Sequence, residues 1–418
     1  MKNLLLVVPW LPFPLKSGGH QAIFNSIKAI ASDVNIYITY QKFDISNSEI
    51  EGFLLAVGGN VKVLPYYELP IKRNFFQVCF HSFHVFLWHV KERLTKCREK
   101  SVSDDSILQG WISEMCPLPE NYLKHINEII ECYDIDIVQC EMLGNISVVL
   151  NLPNTVKKIF VHHELGFVRR DLIIVNNKNL SDSLRAHAFQ LLSKQIELRL
   201  LNKYDIIVTL SEIDKQKLLA AGVTVPVLSS FSIVRTSLID NPVLETNKVL
   251  SFVGPQFHTP NLIGLIWFLK ECWGQLKKED ADYQLKIIGY WSDETSKELS
   301  QKYSGITFMG YVDNLQDALK GTIMIVPITI GSGIRMKILE AASMGIPFVS
   351  TSIGAEGLPF KSGENCYISD NPKEFVRDII LLQDYQRRII FSDKAKKLVK
   401  DNYSIESLRK NRMPLYEQ

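Results

Sequence analysis

No CxxC spacing occurs anywhere in this 418-residue chain. Its seven cysteines (Cys79, Cys97, Cys116, Cys132, Cys140, Cys272 and Cys366) are odd in number. That argues against a zinc ribbon or a disulfide framework, and a reducing compartment is the expected setting. No apolar run reaches the roughly 18 residues that a membrane-spanning helix needs. The apolar start, Leu4 to Val8, is cut short by Pro9, Pro12 and Pro14, so it reads as a buried strand and not as a signal peptide. Charge of one sign is lacking too: 47 Lys and Arg against 45 Asp and Glu leave +2, and nothing global points to nucleic acid. There is no internal sequence repeat and no low-complexity tract. With 46% apolar and 22% charged residues the composition is that of a globular protein, and at roughly 100–200 residues per domain the length favours two domains.

What is present is one grammar used twice. Leu4–Val8 reads as a strand, followed by a Pro/Gly loop (Pro12 to Gly19), a helical pattern from about Gln21 to Ser32, and a strand at Val34–Thr39. Further apolar runs follow at Ile135–Gln139, Lys158–His162 and Asp205–Leu210. The pattern restarts with strands at Val249–Val253, Gln284–Ile288, Ile306–Met309, Ile323–Val326 and Ile346–Ser350, and helices at Asn261–Lys270 and Met336–Ser343. Continuous apolar strands separated by helices predict parallel sheets covered on both faces, hence an α/β chain. Ser229–Asn247 lacks periodicity and carries Asn241-Pro242, so the linker is placed there. The expected domains are 1–235 and 236–400, with 401–418 a polar terminal segment packing back toward the first domain.

Residues 75–90 depart from the pattern. Phe76, Phe80, Phe83 and Leu87 lie on one helical face, and Lys91, Arg93, Lys96, Arg98 and Lys100 follow. A helix buried against the first domain is one reading. An interfacial helix making a peripheral contact with an anionic membrane through residues 75–100 is the other.

Chemistry concentrates between Pro327 and Leu358. A strand runs into Gly331-Ser332-Gly333, and a helix starts just after it. Glycines let backbone approach a ligand, and a helix N-terminus offers free amides and the positive end of a dipole. Arg335 and Lys337 oppose that dipole, so they need another reason, such as a bound diphosphate; the alternative is that both point into solvent. Glu340, in an otherwise apolar stretch, could accept two hydrogen bonds from a ribose diol, or be an ordinary exposed glutamate.

The segments Gly331-Ser-Gly-Ile-Arg-Met-Lys-Ile-Leu-Glu340, Ala341 to Pro347 and Ser350-Thr-Ser-Ile-Gly-Ala-Glu-Gly-Leu358 resemble, in order and spacing, the donor-binding signature of retaining glycosyltransferases of family 4. Pro14 with Ser17-Gly18-Gly19, Tyr204-Asp205 through Asp214, Val253-Gly254 with His258, Pro260 and Asn261, and Tyr403-Ser404 resemble other pieces of that family. The resemblance covers roughly 200–418 well and 1–200 in patches.

The resemblance implies the GT-B fold, two Rossmann-like domains facing a cleft, and a nucleotide-sugar donor, UDP- or GDP-linked, held mainly by the second domain. The donor-binding residues it implies are Gly18, Gly19, His258, Gly289, Gly310, Tyr311, Val312, Gly331, Ser332, Gly333 and Glu340; the catalytic ones are His163, Arg335 and Lys337. Glu340 would hold the ribose, backbone around Gly310 to Val312 would meet the base, and the cations would face the diphosphate. Two features depart from the family: Ser332 stands where it often has a glutamate, and the usual Arg and Lys pair early in the second domain is not evident. Arg335 and Lys337, with His258 contributing, would replace that charge.

His162 and His163 follow a strand, and the family commonly has a histidine there near the transferred sugar. His163 fits that place, and His162 is expected to be a packed core residue. Glu164 would pair with Arg169 or Arg170, or meet the acceptor. Asp134-Ile135-Asp136 has the spacing of a metal-binding pair, but a strand-edge role explains it without metal. Gln139 and Glu141 are minor acceptor-side candidates. His81, His84 and His89 are not spaced as a zinc set.

The function expected from the resemblance is sugar transfer from a nucleotide-sugar donor to a glycan or lipid-linked acceptor, with no metal and no other cofactor, in the cytoplasm or at the cytoplasmic face of the membrane. The alternatives are a nucleotide-sugar epimerase or a phosphorylase on the same fold, or a catalytically inactive partner of such an enzyme, the last suggested by Ser332.

Overall fold

A computed structural model describes residues 1–15, 17–42, 47–67, 104–175, 178–231, 248–331 and 333–417. Ser332, the aromatic and basic segment 75–100, and the expected boundary at 235/236 all lie outside the described residues, as does most of the expected linker.

Two parallel sheets form the frame. In chain order the first half holds β1 (Asn3–Val7), β2 (Asn35–Thr39), β3 (Gln41–Lys42), β4 (Val61–Val63), β5 (Tyr66–Tyr67), β6 (Ile137–Glu141), β7 (Lys157–His162), β8 (Ile206–Thr209) and β9 (Val227–Ser229). The second half holds β10 (Val249–Val253), β11 (Gln284–Ile288), β12 (Ile306–Gly310), β13 (Ile323–Val326), β14 (Phe348–Ser350) and β15 (Tyr367–Ile368). The sheet orders are β4-β2-β1-β6-β7-β8-β9 and β12-β11-β10-β13-β14-β15, with β3 and β5 a separate pair. In each large sheet the order reverses beside the first strand, between β1 and β6 and between β10 and β13. Those are the switch points where open α/β sheets collect ligands at their carboxyl ends.

The expected third strand is displaced. Ile135–Gln139 was the predicted run; the strand is Ile137–Glu141, because Asp134 adopts φ +46° and turns the chain first. Asp136 then caps the edge of β1, accepting from the Asn3 amide at 2.8 Å. The metal-like spacing is thereby a strand-edge device.

Alternation along the central strands sorts side chains onto two faces. Val138 and Cys140 of β6 and Phe160 of β7 join one apolar cluster, behind the sheet. Ile137, Ile159 and Val161 join another. This second cluster runs from Leu4 and Ile27 through Tyr403, Leu408 and Leu415 to Met336, Ala341 and Phe348, so it is shared by both halves.

The chain's last helices make that sharing possible. Tyr385–Asn402 is capped by Asp384, which accepts from the Arg387 amide at 2.7 Å. It packs on the helix Met336–Ser343 of the second half. Ile405–Arg412 packs on the helix Gly18–Ile30 of the first half, where Arg409 donates to Asp33. Tyr403 meets Phe231 edge to face, with ring centroids 5.1 Å apart. The terminal segment is more than polar surface: Leu408, Leu415 and Tyr416 are all within 2% of complete burial. An interdomain ion pair, Lys217 to Glu356 at 2.6 Å, is partly exposed on both sides. Such a pair contributes only about 0–1 kcal/mol, so apolar burial, and not this pair, holds the halves together.

Candidate functional site

The carboxyl ends of β1, β6 and β7 face the loop that follows β13 and opens the helix Met336–Ser343. The approach is tight. Gly333 sits at φ +80°, and a Cβ there would lie 2.4 Å from the His163 carbonyl oxygen, so only glycine fits. A Cβ on Gly18 would lie 3.0 Å from Met336 Cβ. Gly18 and Gly19 open the helix Gly18–Ile30, whose cap Ser17 accepts from the His20 amide at 3.4 Å. The two N-terminal helix ends, one from each half, therefore converge on one place.

Arg335 is the cap residue of the second of these helices and supplies no side-chain oxygen to it. Its side chain is buried, and Nη1 donates to the Gly333 carbonyl at 2.8 Å. Burial lowers its pKa, while Glu164, Glu356 and Asp214 nearby favour the charged form. Lys337 does not point into solvent. Its Nζ donates to the Val253 carbonyl and, at 2.7 Å, to Asn261 Oδ1, and it lies 5.2 Å from the Phe252 ring centre. Desolvation first, and the Arg335 charge second, push its pKa down to about 7, with Glu340 opposing. Glu340 accepts from Gln21 Nε2 at 2.6 Å, a bond across the cleft. Burial raises its pKa, against the Gln21 bond and the Lys337 charge.

His258 stands at the solvent-facing end of this group. Desolvation in the cleft, then Lys337 and Arg335, bring its pKa down to about 4, with Glu164 opposing. That environment disfavours a charge on His258. Gly331, at φ +113°, lies beside Arg335.

Gly289 and Gly310 form a second group, their backbones bridged by a 2.8 Å hydrogen bond. The amide of Gln256 reaches the Tyr290 carbonyl at 2.9 Å, which joins this rim to the loop carrying His258. Tyr311 is 68% exposed on the rim, whereas the Val312 side chain packs into the shared core. What Val312 can offer a ligand is backbone.

His162 and His163 part company at the end of β7. His162 continues the Phe160 face and meets Glu197 of the helix Leu184–Leu201 at 3.0 Å. Glu197 also accepts from the Gly166 amide at 3.0 Å and from Arg170 Nη1 at 2.9 Å. Burial alone would raise its pKa; His162, Arg170 and the Gly166 amide outweigh that and hold it below the usual range. His162 is the packed residue expected. His163 lies on the cleft side, with Nε2 2.6 Å from Glu141 Oε2. Glu164 pairs with Arg169 at 3.3 Å, the first of its two readings. Among the described residues no group of three or more His, Cys, Asp or Glu could hold a metal ion. Among them, too, no helix is long and apolar enough to cross a membrane.

Sequence reasoning missed Gln21, Asn261 as the Lys337 anchor, and the strength of Glu141. Gln139 and Glu141 were named as minor candidates; with the strand ending at Glu141 they occupy alternate positions on one face, which brings Glu141 to His163.

Residues 247–384 match the family described as "Glycosyl transferases group 1". An uncharacterised 44.6 kDa protein in the cps region of Klebsiella pneumoniae is 25% identical over 394 residues, spanning 91% of this chain and 90% of that protein. Among solved structures, a mutant of S. aureus TarM in complex with fondaparinux, alpha-GlcNAc-glycerol and UDP superposes with TM-score 0.69 at 13% identity, covering 100% of both chains. Sucrose-phosphate synthase from Thermosynechococcus elongatus gives 0.69 at 12% identity over 100% of this chain and 99% of that one. Anabaena HepE in complex with UDP gives 0.66 at 10% identity, covering 99% of each. The fold is GT-B.

Proposed function

We propose that this chain, whose residues 247–384 match the group 1 glycosyl transferases on a GT-B fold, is a retaining, metal-independent glycosyltransferase. It moves a sugar from a UDP- or GDP-linked donor to a glycan or lipid-linked acceptor in surface polysaccharide biosynthesis. A relative in a cps (capsule) region supports the pathway class, and neighbours in complex with UDP and UDP-glucose support the donor class. Work at the cytoplasmic face of a membrane, with residues 75–100 in contact with it, belongs to the same reading.

One observation carries it. Two basic side chains, the buried Arg335 and the half-buried Lys337, stand at a helix N-terminus that closes against His163 across a cleft. Basic groups drawn together out of water favour the arrival of a further anion. A diphosphate fits: Arg335 takes its oxygens, the Gly331 and Gly333 amides add partial positive charge, and Lys337, with a pKa near 7, gains a proton when the anion arrives. Glu340 exchanges its Gln21 partner for the ribose hydroxyls, and the Gly310–Val312 backbone lines the base. His163 hydrogen-bonds a hydroxyl of the sugar and steadies charge at the reacting carbon. The acceptor hydroxyl attacks on the side from which the diphosphate departs, and a phosphate oxygen takes its proton. Positive charge for the leaving group comes from the chain itself, so no divalent ion is called for.

The test is turnover. The protein is incubated with UDP-, GDP-, dTDP- and ADP-sugars, with and without extracted lipid-linked glycans and a chelator, and diphosphate release is measured. Consumption of one donor, raised by acceptor and indifferent to chelator, is expected. Isomerised donor without acceptor, or no turnover of any donor, overturns the reading.

A further inference from the structure

A buried line of side chains joins the end of the chain to His163. Tyr416 Oη donates to Gln139 Oε1 at 2.7 Å. Gln139 Nε2 donates to Glu141 Oε1 at 2.6 Å. The other carboxylate oxygen of Glu141 meets His163 Nε2 at 2.6 Å. Tyr416, Gln139 and Glu141 are each no more than 2% exposed.

Strand geometry makes the line possible. Residues two apart on a strand share a face, so Gln139 and Glu141 stand with Ile137 toward the terminal helices, while Val138 and Cys140 point the other way. The terminal helix Pro414–Glu417 is pinned on both flanks. Lys157 Nζ donates to the Leu415 carbonyl at 2.9 Å, and Arg412 Nε donates to Ser230 Oγ at 2.9 Å.

The chemistry of the groups fixes the direction of every bond. An ionised carboxylate only accepts, so Gln139 must turn its amide nitrogen to Glu141. Its oxygen is then left facing the terminal helix, where only a donor suits it, and the Tyr416 hydroxyl is that donor. Facing the same carboxylate, His163 must carry a proton on Nε2. Only Nδ1 is then left for a ligand. Apolar residues would fill this space at no desolvation cost, whereas three buried polar groups are tolerated only when all are bonded.

We propose that Glu141, Gln139 and Tyr416 are positioning residues that set the tautomer and ring angle of His163, so that the chain's last helix belongs to the reaction centre. The catalytic meaning of this rests on the role proposed above for His163; the positioning itself does not.

The test uses the full chain labelled with 15N-histidine and reads the ring resonances. His162, bonded to Glu197 on the opposite face, is the internal control. Tyr416→Phe keeps the ring and removes the hydroxyl. It should shift the His163 Nε2–H resonance, leave His162 in place, and lower kcat about tenfold with donor KM unchanged. Glu141→Gln presents an amide N–H to the ring and should convert His163 to the Nδ1–H tautomer, again without moving His162. Unchanged His163 resonances in both variants overturn the proposal, as does a joint movement of His162 and His163, which reports general loosening. Resonances that respond as expected with turnover unaffected uphold the positioning and overturn the role of His163 in transfer.

Discussion

His162 and His163 are adjacent, each within 3.0 Å of a glutamate, and the two pairs belong to different regions of the molecule. Behind the sheet, His162 and Glu197 have wholly buried side chains and share their site with Arg170. On the cleft side, His163 keeps 12% of its side-chain surface exposed and lies against the Gly333 loop of the other half. One residue of strand alternation separates them. The same side chain with the same partner type is a structural tie on one face and a candidate reacting group on the other, and its surroundings decide which.

Predictions follow from pulling the two pairs apart. Glu197→Ala strips a shared carboxylate from Arg170 and His162 in a wholly buried site, and should cost about 3–5 kcal/mol in urea unfolding. A loss under about 1 kcal/mol would make the rear pair no more structural than the front one. His163→Ala should do the reverse: donor turnover falls about 10²–10³-fold with little change in stability. His162→Ala with the larger effect on turnover would invert the assignment.

Glu340→Ala should weaken nucleotide binding by about 1.5–3 kcal/mol, since a charged acceptor for the ribose is lost. Gln21→Ala frees the same carboxylate and should not weaken binding. Equal losses would mean that the pair matters as a domain tie and not as a ribose site.

Two pH effects are smaller. The Glu197 pKa is depressed in the folded chain, so its stabilisation is present above pH 4.5, the ordinary value, and is lost as pH falls through the lower folded value. Urea midpoints between pH 7 and 3 should show that loss in the native chain and less of it in Glu197→Ala. For Lys337, with a pKa of about 7, a bound diphosphate restores the proton. Diphosphate affinity should therefore decline as pH rises above about 7, and that slope should vanish in Lys337→Met.

The second half was the more legible in sequence. Its strands at Val249–Val253, Gln284–Ile288 and Ile323–Val326 and its helix Met336–Ser343 lie where periodicity placed them, because local pattern and burial agree there. Its motif, Gly331 to Glu340, is contiguous. The first half was hidden because its important contacts are not local. His163 meets a residue 22 positions away, and Gln21 meets Glu340 across 319. Tyr416 reaches Gln139 across 277, from a stretch whose polar composition gave no hint of burial. No window of sequence holds such pairs, so Gln139 and Glu141 could be named as candidates but not joined to His163 and Tyr416.

The central claim, that a diphosphate sits between the Gly331–Arg335 loop and the cleft, is tested most directly by calorimetry without metal. UDP, GDP and the matching nucleosides are titrated into the native chain and into Arg335→Ala. The account predicts that one diphosphate binds the native chain, that Arg335→Ala weakens it by at least about tenfold, and that nucleoside binding changes far less. Equal losses for diphosphate and nucleoside, or no diphosphate bound by the native chain, would contradict it.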